Sequence, residues 1–378
     1  MHLLIHPFKH AFSYLRINNV QADAIFLMKF LRFILYPLVP VYGFIIRVRN
    51  WFFDKMIFKS QKVNASVISV GNITTGGSGK TPMVIYISNL LRSEGKKAGV
   101  LSRGYGRRSK GYILVSKGEQ VLTSVDLCGD EIYQTVLECR IPAAVCENRV
   151  IGAERLIKEA AVDTIVLDDA FQHRWIERDI NLLICEQRFL LNGSFLNQNL
   201  LPSGMMREPF DSIKRADAVI INRKFSGHEE IPVNLQKYFI DKRIFTAYYV
   251  AVGFWDVKKK LNYNIHEFEG QKSLVVSGVA NPASFINALK QTNVDTTNQI
   301  IFRDHKYYTL KEVQKIRKEF YSTNSHSVVT TEKDAVKLSK YSKELDDIDI
   351  YYLKIELKMD EPELFRNFIF DKSFREKI

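Results

Sequence analysis

Gly71-Asn-Ile-Thr-Thr-Gly-Gly-Ser-Gly-Lys-Thr81 decides how this chain folds. The run 63–70 before it is short and rich in Val and Ser, which reads as a strand, and 82–93 after it carries helical apolar spacing. A strand, a glycine-rich turn and a helix in that order make a phosphate loop. Glycines let successive backbone N–H groups turn inward on phosphate oxygens, and the helix N-terminus adds partial positive charge there. Thr74, Thr75, Gly76, Gly77, Ser78 and Gly79 form the cradle, Lys80 reaches the β- and γ-phosphates, and the Thr81 hydroxyl is placed for Mg²⁺. The strict G-x-x-x-x-G-K-[ST] pattern is missed where Thr74 replaces its first glycine. The plain alternative is a Gly-rich turn whose lysine is merely solvated.

Working outward, strands are expected at 98–102, 163–167, 181–185 and 218–221, and a helix at 148–161 with apolar residues at 153, 156, 157 and 160. Such alternation implies an α/β fold of the P-loop NTPase type, a mostly parallel sheet flanked by helices. After the basic stretch 237–243 a Tyr-, Val- and Phe-rich segment, 245–257, opens a second set. There, strands at 273–277, 299–302, 327–331 and 348–355 alternate with helices at 282–290, 310–321 and from 362 onward. The expected division is a P-loop domain, 63–244, and a smaller C-terminal α/β domain, 245–378.

The run Thr164-Ile-Val-Leu-Asp168-Asp169 is an apolar strand ending in two carboxylates. Parallel strands bring their C-terminal ends to one edge, so the pair fits a Mg²⁺-binding position beside the phosphate loop, although Asp also caps turns. Gln172, His173 and Arg174 follow at once. Gly129-Asp130-Glu131 places two acids at the start of a helix, where N-capping is the ordinary explanation. Asp304 and His305 end a strand of the second set, and only together with Asp130 do they make an acid–base pair across a cleft. Arg-Gly-Tyr-Gly-Arg-Arg at 103–108 offers the Arg103 and Arg107 guanidinium forks to a phosphorylated substrate, or is an exposed basic turn.

Before the phosphate loop, 24–46 is strongly apolar but interrupted by Lys29 and Arg32, and its longest uncharged run, 33–46, has 14 residues. A spanning helix needs roughly 20. Pro37 and Pro40 are expected to kink the run, and Arg47, Arg49, Lys55, Lys59 and Lys62 follow it with only Asp54 opposing them. The segment 28–62 therefore reads as an interfacial membrane anchor with a basic collar, the alternative being a core helix. In the extension 1–27, His2, His6 and His10 imitate a metal-binding helix face that Pro7 interrupts.

The net charge of +12 over 378 residues favours polyanionic partners, while 46% hydrophobic content excludes wholesale disorder. Nucleic-acid binding requires a basic face with interleaved aromatics, whereas the basic residues here are dispersed or gathered at the apolar anchor. The four cysteines form no C-x-x-C pair, as befits a reduced, cytoplasmic compartment without a zinc site or disulfides.

Taken in order, 70–82, 101–107, 129–131 and 168–174 resemble the tetraacyldisaccharide 4′-kinases of lipid A synthesis. So do Leu-Pro-Ser-Gly-Met-Met-Arg-Glu-Pro (201–209), Arg-Asp-His (303–305) and Thr-Glu-Lys-Asp-Ala (331–335), and the resemblance spans 28–378. It implies transfer of the ATP γ-phosphate to the 4′-hydroxyl of a tetraacyldisaccharide 1-phosphate, giving lipid IVA, at the cytoplasmic face of a bacterial inner membrane with anionic lipids. It implies Asp130 as base with His305 its partner, and Lys80 with Mg²⁺ for the phosphates. Thr81, Asp168 and Asp169 would hold Mg²⁺, with Gln172 and Glu208 near the metal or substrate, and Arg103, Arg107 and Arg207 are substrate candidates. A tetraacylated lipid cannot leave the bilayer cheaply, since each exposed CH₂ costs about 0.8 kcal/mol, so the enzyme must come to it. The competing class is a membrane-targeting P-loop ATPase switch, for which Asp130 and His305 are dispensable.

Overall fold

The computed structural model describes residues 32–193, 197–259, 261–279, 281–304 and 306–374. The extension 1–27, residues 28–31 of the apolar segment and His305 lie outside the described residues.

The strand before the phosphate loop, β1 (Ser66–Gly71), is central, with β5 (Thr164–Asp168) and β6 (Ile180–Glu186) parallel on either side. Beyond β5 lie β2 (Ala98–Ser102) and β4 (Pro142–Val145), and beyond β6 lie β7 (Ala218–Asn222) and β8 (Arg243–Asp256), all parallel. Antiparallel β3 (Ile113–Lys117) closes the edge. These strands are apolar on both faces because both are covered. Ile68 and Val70 pack on Met83, Val84, Ile87 and Leu91 of α2 (Lys80–Ser93), alongside α3 (Asp130–Cys139). On the other face Val67, Ile165 and Leu167 meet Val150, Ala153 and Leu156 of α4 (Arg149–Ala160). All four cysteines are buried free thiols.

A second parallel block contains β10 (Lys272–Ser277), β11 (Asp295–Ile301), β12 (Ser327–Thr331) and β13 (Ile350–Met359), in the order β11-β10-β12-β13. It carries α5 (Pro282–Gln291), α6 (Leu310–Ser322) and α7 (Glu332–Leu338). The short β9 (Asn262–Tyr263) pairs with β8. β13 joins the second block to β8 antiparallel, so one sheet runs through both blocks.

The register of that junction creates the functional cleft. Asn222 ends β7 opposite Ala247 of β8. Thr331 ends β12 opposite Leu353 of β13, which faces Phe254 of β8. Because β8 and β13 run in opposite directions, the carboxyl edges of both blocks aim at the stretch between Ala247 and Phe254, roughly 24 Å of strand at about 3.4 Å per residue. Loops from both blocks therefore confront one another there. The expected boundary at 244/245 falls inside β8, and α8 (Pro362–Phe374) returns from β13 to pack Phe365 on Phe245 at 5.1 Å in the first block's core.

Ahead of β1, a 3₁₀ turn (Tyr36–Leu38) leads into α1 (Val39–Asp54). Pro37 and Pro40 occupy the first turns of these two helices, where a missing N–H costs nothing, so they start helices rather than kink one as expected. Among the described residues no helix is long and apolar enough to cross a membrane.

Candidate active site

The phosphate loop is held from three sides. Gly79, at φ +102°, caps α2, and a Cβ added there would lie 2.1 Å from Asn222 Nδ2. Asn222 is fully buried, and its amide donates to the Ser78 carbonyl and to the Tyr249 hydroxyl at 3.0 Å each. Its Oδ1 accepts the Lys224 N–H at 2.9 Å, so every polar atom of that side chain is used. Beneath the loop Asn72 Nδ2 donates to Ser78 Oγ at 2.8 Å. On the third side Thr75 donates its backbone N–H to the Met205 carbonyl at 2.7 Å, and Thr74 bridges Met206. Thr74, Ser78 and Thr81 are buried, leaving Gly76 and Gly77 exposed at the lip.

Register places the first carboxylate beside this loop, since Asp168 pairs with Val70. Asp168 Oδ2 accepts from Ser102 Oγ at 3.2 Å, while its buried Oδ1 has no hydrogen-bond partner. Burial, with Glu131 and Asp169 nearby, pushes its pKa up to about 7 against the pull of Lys80 and Arg149. Asp169 sits at φ +48°, which turns its side chain into the cleft. There Lys80 Nζ stands 3.6 Å away and Arg207 Nη1 reaches both carboxylate oxygens at 3.0 Å. Burial would raise the Asp169 pKa, but Lys80 and Arg207 outweigh it and hold the group below the usual carboxylate range.

Opposite them, the first turn of α3 meets α7. Glu131 accepts from Lys333 Nζ at 2.6 Å, and both line the cleft. Burial opposes ionisation of Glu131, yet Lys333 and Lys80 keep its pKa low; burial likewise opposes the Lys333 charge, and Glu131 and Asp130 more than restore it. Asp130 does not cap its helix, for Gly129 occupies the cap position, and its Oδ2 lies 3.4 Å from Lys337 Nζ. It borders a side cavity of about 20 Å³ with Tyr105 and Tyr307, next to the main cleft of about 490 Å³. The far wall of the main cleft comes from the second block, through Val279, Asn281, Phe285 and Asp304, and Tyr249, Leu353 and Ile355 form its base.

A Mg²⁺ ion fits this donor set. The unpartnered Oδ1 of Asp168 and the buried Thr81 hydroxyl supply one carboxylate and one alcohol, the protein share expected when phosphate oxygens and water complete the shell. Among the described residues no group of three or more His, Cys, Asp or Glu forms a cage of its own. Gln172 and Glu208, the other two candidates, stand outside the lining of the main cleft, and Glu208 Oε1, like Asp168 Oδ1, has no hydrogen-bond partner. Gln172 Nε2 donates to the Asn72 carbonyl at 2.7 Å, and buried Glu208 pairs with Arg215 and Asn50 at 2.8 Å each, under α1. The left-handed turn at Asp169 carries the chain past the cleft before Gln172, and neither residue lines it.

The profile of the tetraacyldisaccharide-1-P 4′-kinase family matches residues 31–373. The chain belongs to that family. A tetraacyldisaccharide 4′-kinase of Phocaeicola vulgatus is 34% identical over 357 residues, covering 89% of this chain and 94% of that protein. That of Chlorobium phaeobacteroides is 32% identical over 343 residues, 87% of this chain and 94% of the relative. Among solved structures, LpxK from Aquifex aeolicus, crystallised in complex with ATP, superposes with a TM-score of 0.74 at 28% identity, covering 91% of this chain and all of that one.

The structure of this kinase-family member brings Lys80, Asp169 and Arg207 together, with Thr81 and Asp168 in the wall behind. Arg103 is exposed, and Arg107 is spent on Glu147 at 2.5 Å and the Gly111 carbonyl at 2.7 Å, fixing its own loop. Sequence reading missed Tyr249, Asn281 and Phe285 as wall residues and Asn222 as an anchor of the phosphate loop. Asn222 closing an apolar strand was the only available signal, because strands seldom end on a fully buried amide without a polar duty.

Proposed function

We propose that this chain transfers the γ-phosphate of ATP to the 4′-hydroxyl of a tetraacyldisaccharide 1-phosphate, producing lipid IVA in lipid A biosynthesis. The observation that carries the reading is the pinned phosphate loop whose Lys80 faces the Asp169–Arg207 pair across a cleft walled by a second α/β block. Phosphoryl transfer needs positioning and charge neutralisation more than covalent catalysis. Backbone N–H groups of 75–79 and Lys80 would bind the β- and γ-phosphates, and Thr81 with Asp168 would hold Mg²⁺. The metal neutralises phosphate charge when bound. Arg207 anchors Asp169 at the lip, and Asp130, with His305, takes the proton of the attacking hydroxyl.

The same reading sets the protein on a membrane containing anionic lipids, at the cytoplasmic face of the bacterial inner membrane. Supporting it, α1 buries Phe53 and binds through Tyr42 to the Arg207 carbonyl at 2.9 Å, while Phe33, Val41, Phe44, Ile45 and Trp51 stay exposed among basic residues. Arg207 thus stands between the apolar helix and the phosphate loop. The test is incubation of purified protein with γ-labelled ATP, Mg²⁺ and the disaccharide 1-phosphate. A doubly phosphorylated lipid supports the kinase, whereas ATP hydrolysis with label only in inorganic phosphate would leave the ATPase switch.

A further inference from the structure

We propose that Lys337 is a positioning residue for Asp130, fixing that carboxylate beside the cleft through an ion pair anchored in the second block. The inference rests on the reading of Asp130 as the base. The Lys337 side chain is only 10% exposed, and its Nζ lies 3.4 Å from Asp130 Oδ2 and 3.2 Å from Asp334 Oδ1. One ammonium therefore joins carboxylates from opposite walls.

Asp334 sets a buried counter-charge beside that ammonium, with no hydrogen bond between Lys337 Nζ and Asp334 Oδ1. It is fully buried, and its Oδ2 accepts the Gly278 N–H at 2.8 Å and the Thr331 hydroxyl at 2.7 Å. The Tyr308 ring, 5.7 Å away, covers the ammonium further. Lys337 cannot leave Asp334 without stranding a buried charge, so Asp130 adjusts to Lys337 rather than the reverse. Asp130 is itself buried in the first turn of α3 next to Glu131, where carboxylate repulsion bears on which side-chain orientations it takes. A cation on one side selects among them.

The proton count agrees with this role. In the transfer the acceptor O–H bond breaks, its proton passes to Asp130, the acceptor oxygen bonds the γ-phosphorus, and the bond to the β–γ bridging oxygen breaks to release ADP. Lys337 keeps its protons throughout. Asp130, Lys337 and Asp334 together carry one negative charge before the step and none after it, so the trio receives the proton without creating a buried net cation. A neighbouring cross-wall pair, Lys340–Asp126 at 2.6 Å, is more exposed and does not touch Asp130, which makes it a control for interface strength alone.

The experiment uses the full chain in detergent micelles with the disaccharide lipid, ATP and Mg²⁺, and compares Lys337→Met, Lys337→Arg, Lys340→Met, Asp130→Asn and the Lys337→Met/Asp130→Asn double variant. Lys337→Met should lower kcat at least about tenfold with the KM for ATP within about twofold, as for loss of general-base geometry. Lys337→Arg should recover most of it, Lys340→Met should keep wild-type kcat, and the double variant should be no worse than Asp130→Asn. Wild-type kcat in Lys337→Met, an equal loss in Lys340→Met, or multiplicative losses in the double variant would overturn the proposal while leaving Asp130 as base. Wild-type kcat in Asp130→Asn would instead remove the base and this inference with it. If Lys337→Met does not fold, Lys337→Gln, which removes the charge but keeps a donor for Asp334, is read in its place.

Discussion

Lys80 projects its ammonium into the cleft, 3.6 Å from Asp169, while its side chain is only 11% exposed. Lys80→Ala should therefore lower kcat by about a hundredfold or more, the usual outcome when an electrostatic group of the transition state is lost. Wild-type turnover at saturating ATP would remove Lys80 from the nucleotide site. Asn222 behaves differently. Asn222→Leu keeps the volume but strands the Ser78 carbonyl and the Lys224 N–H, at about 1–3 kcal/mol for each buried group. Both stability and ATP affinity should fall, and isothermal titration with ATP reads the second; unchanged affinity would mean the loop holds its shape unaided. These two residues also mark what a sequence reveals. Lys80 is legible because the glycines, the lysine and the threonine are neighbours in the chain. Asn222 reaches Ser78 only through the pairing of β7 with its neighbours, 144 residues away, and no local pattern encodes that.

The strands were legible because parallel strands covered on both faces are nearly continuous apolar runs, so β2 and β12 fall where the sequence puts them. β3 and β4 were not, for Ile113–Lys117 ends on Ser and Lys rather than continuing its apolar run and Pro142–Val145 is only four residues long. The facing of the two carboxyl edges was hidden as well, since it depends on the antiparallel register of β8 and β13, settled by contacts about 100 residues apart. Helix α1 begins at the prolines that were expected to kink it. Its inner side is fixed by Asn50 on Glu208 and by Arg174 on Asp54 at 2.7 Å, and its outer side bares Phe44 and Ile45. Burying one such side chain in a bilayer interface is worth roughly 1.5–3 kcal/mol. The double variant Phe44→Glu/Ile45→Glu should accordingly bind anionic vesicles at least about tenfold more weakly and phosphorylate vesicle-embedded lipid more slowly, with ATP binding intact. High salt should weaken wild-type vesicle binding without abolishing it, because apolar contact is not screened. Sedimentation with vesicles measures both, and equal binding by the variant would show that α1 does not carry the attachment.

At the scale of the molecule, the two blocks are joined by the sheet at one side of the cleft and by charges at another. Gln134 Nε2 donates to Glu332 at 2.8 Å, Lys333 to Glu131 at 2.6 Å, and Lys354 reaches Glu332 at 3.0 Å and Glu138 as well. Two carboxylates thus share one lysine. Burial, and then the hydrogen bond and charge of Glu138, push the Glu332 pKa up to about 8, while Lys354 and the shared hydrogen bond keep Glu138 low despite its own burial. Glu332 therefore holds a proton in the folded protein that it gives up in the unfolded chain at ordinary carboxylate pH. An acid whose folded pKa is raised contributes stability that is complete below its unfolded value of 4.5 and lost as pH climbs through its folded value of about 8. Between pH 7 and 9 the protein should lose about 1 kcal/mol from this group, with a fall in melting temperature of about 2 °C beyond that of a variant lacking the titration. Glu332→Gln supplies that comparison, since an amide keeps the shape and a donor toward Glu138 without ionising. Thermal unfolding of both proteins in matched buffers should give curves that diverge from about pH 4.5 upward and run parallel above about pH 8, with wild type the more pH-sensitive. Parallel curves between those two pH values would show that Glu332 is ionised in the native state.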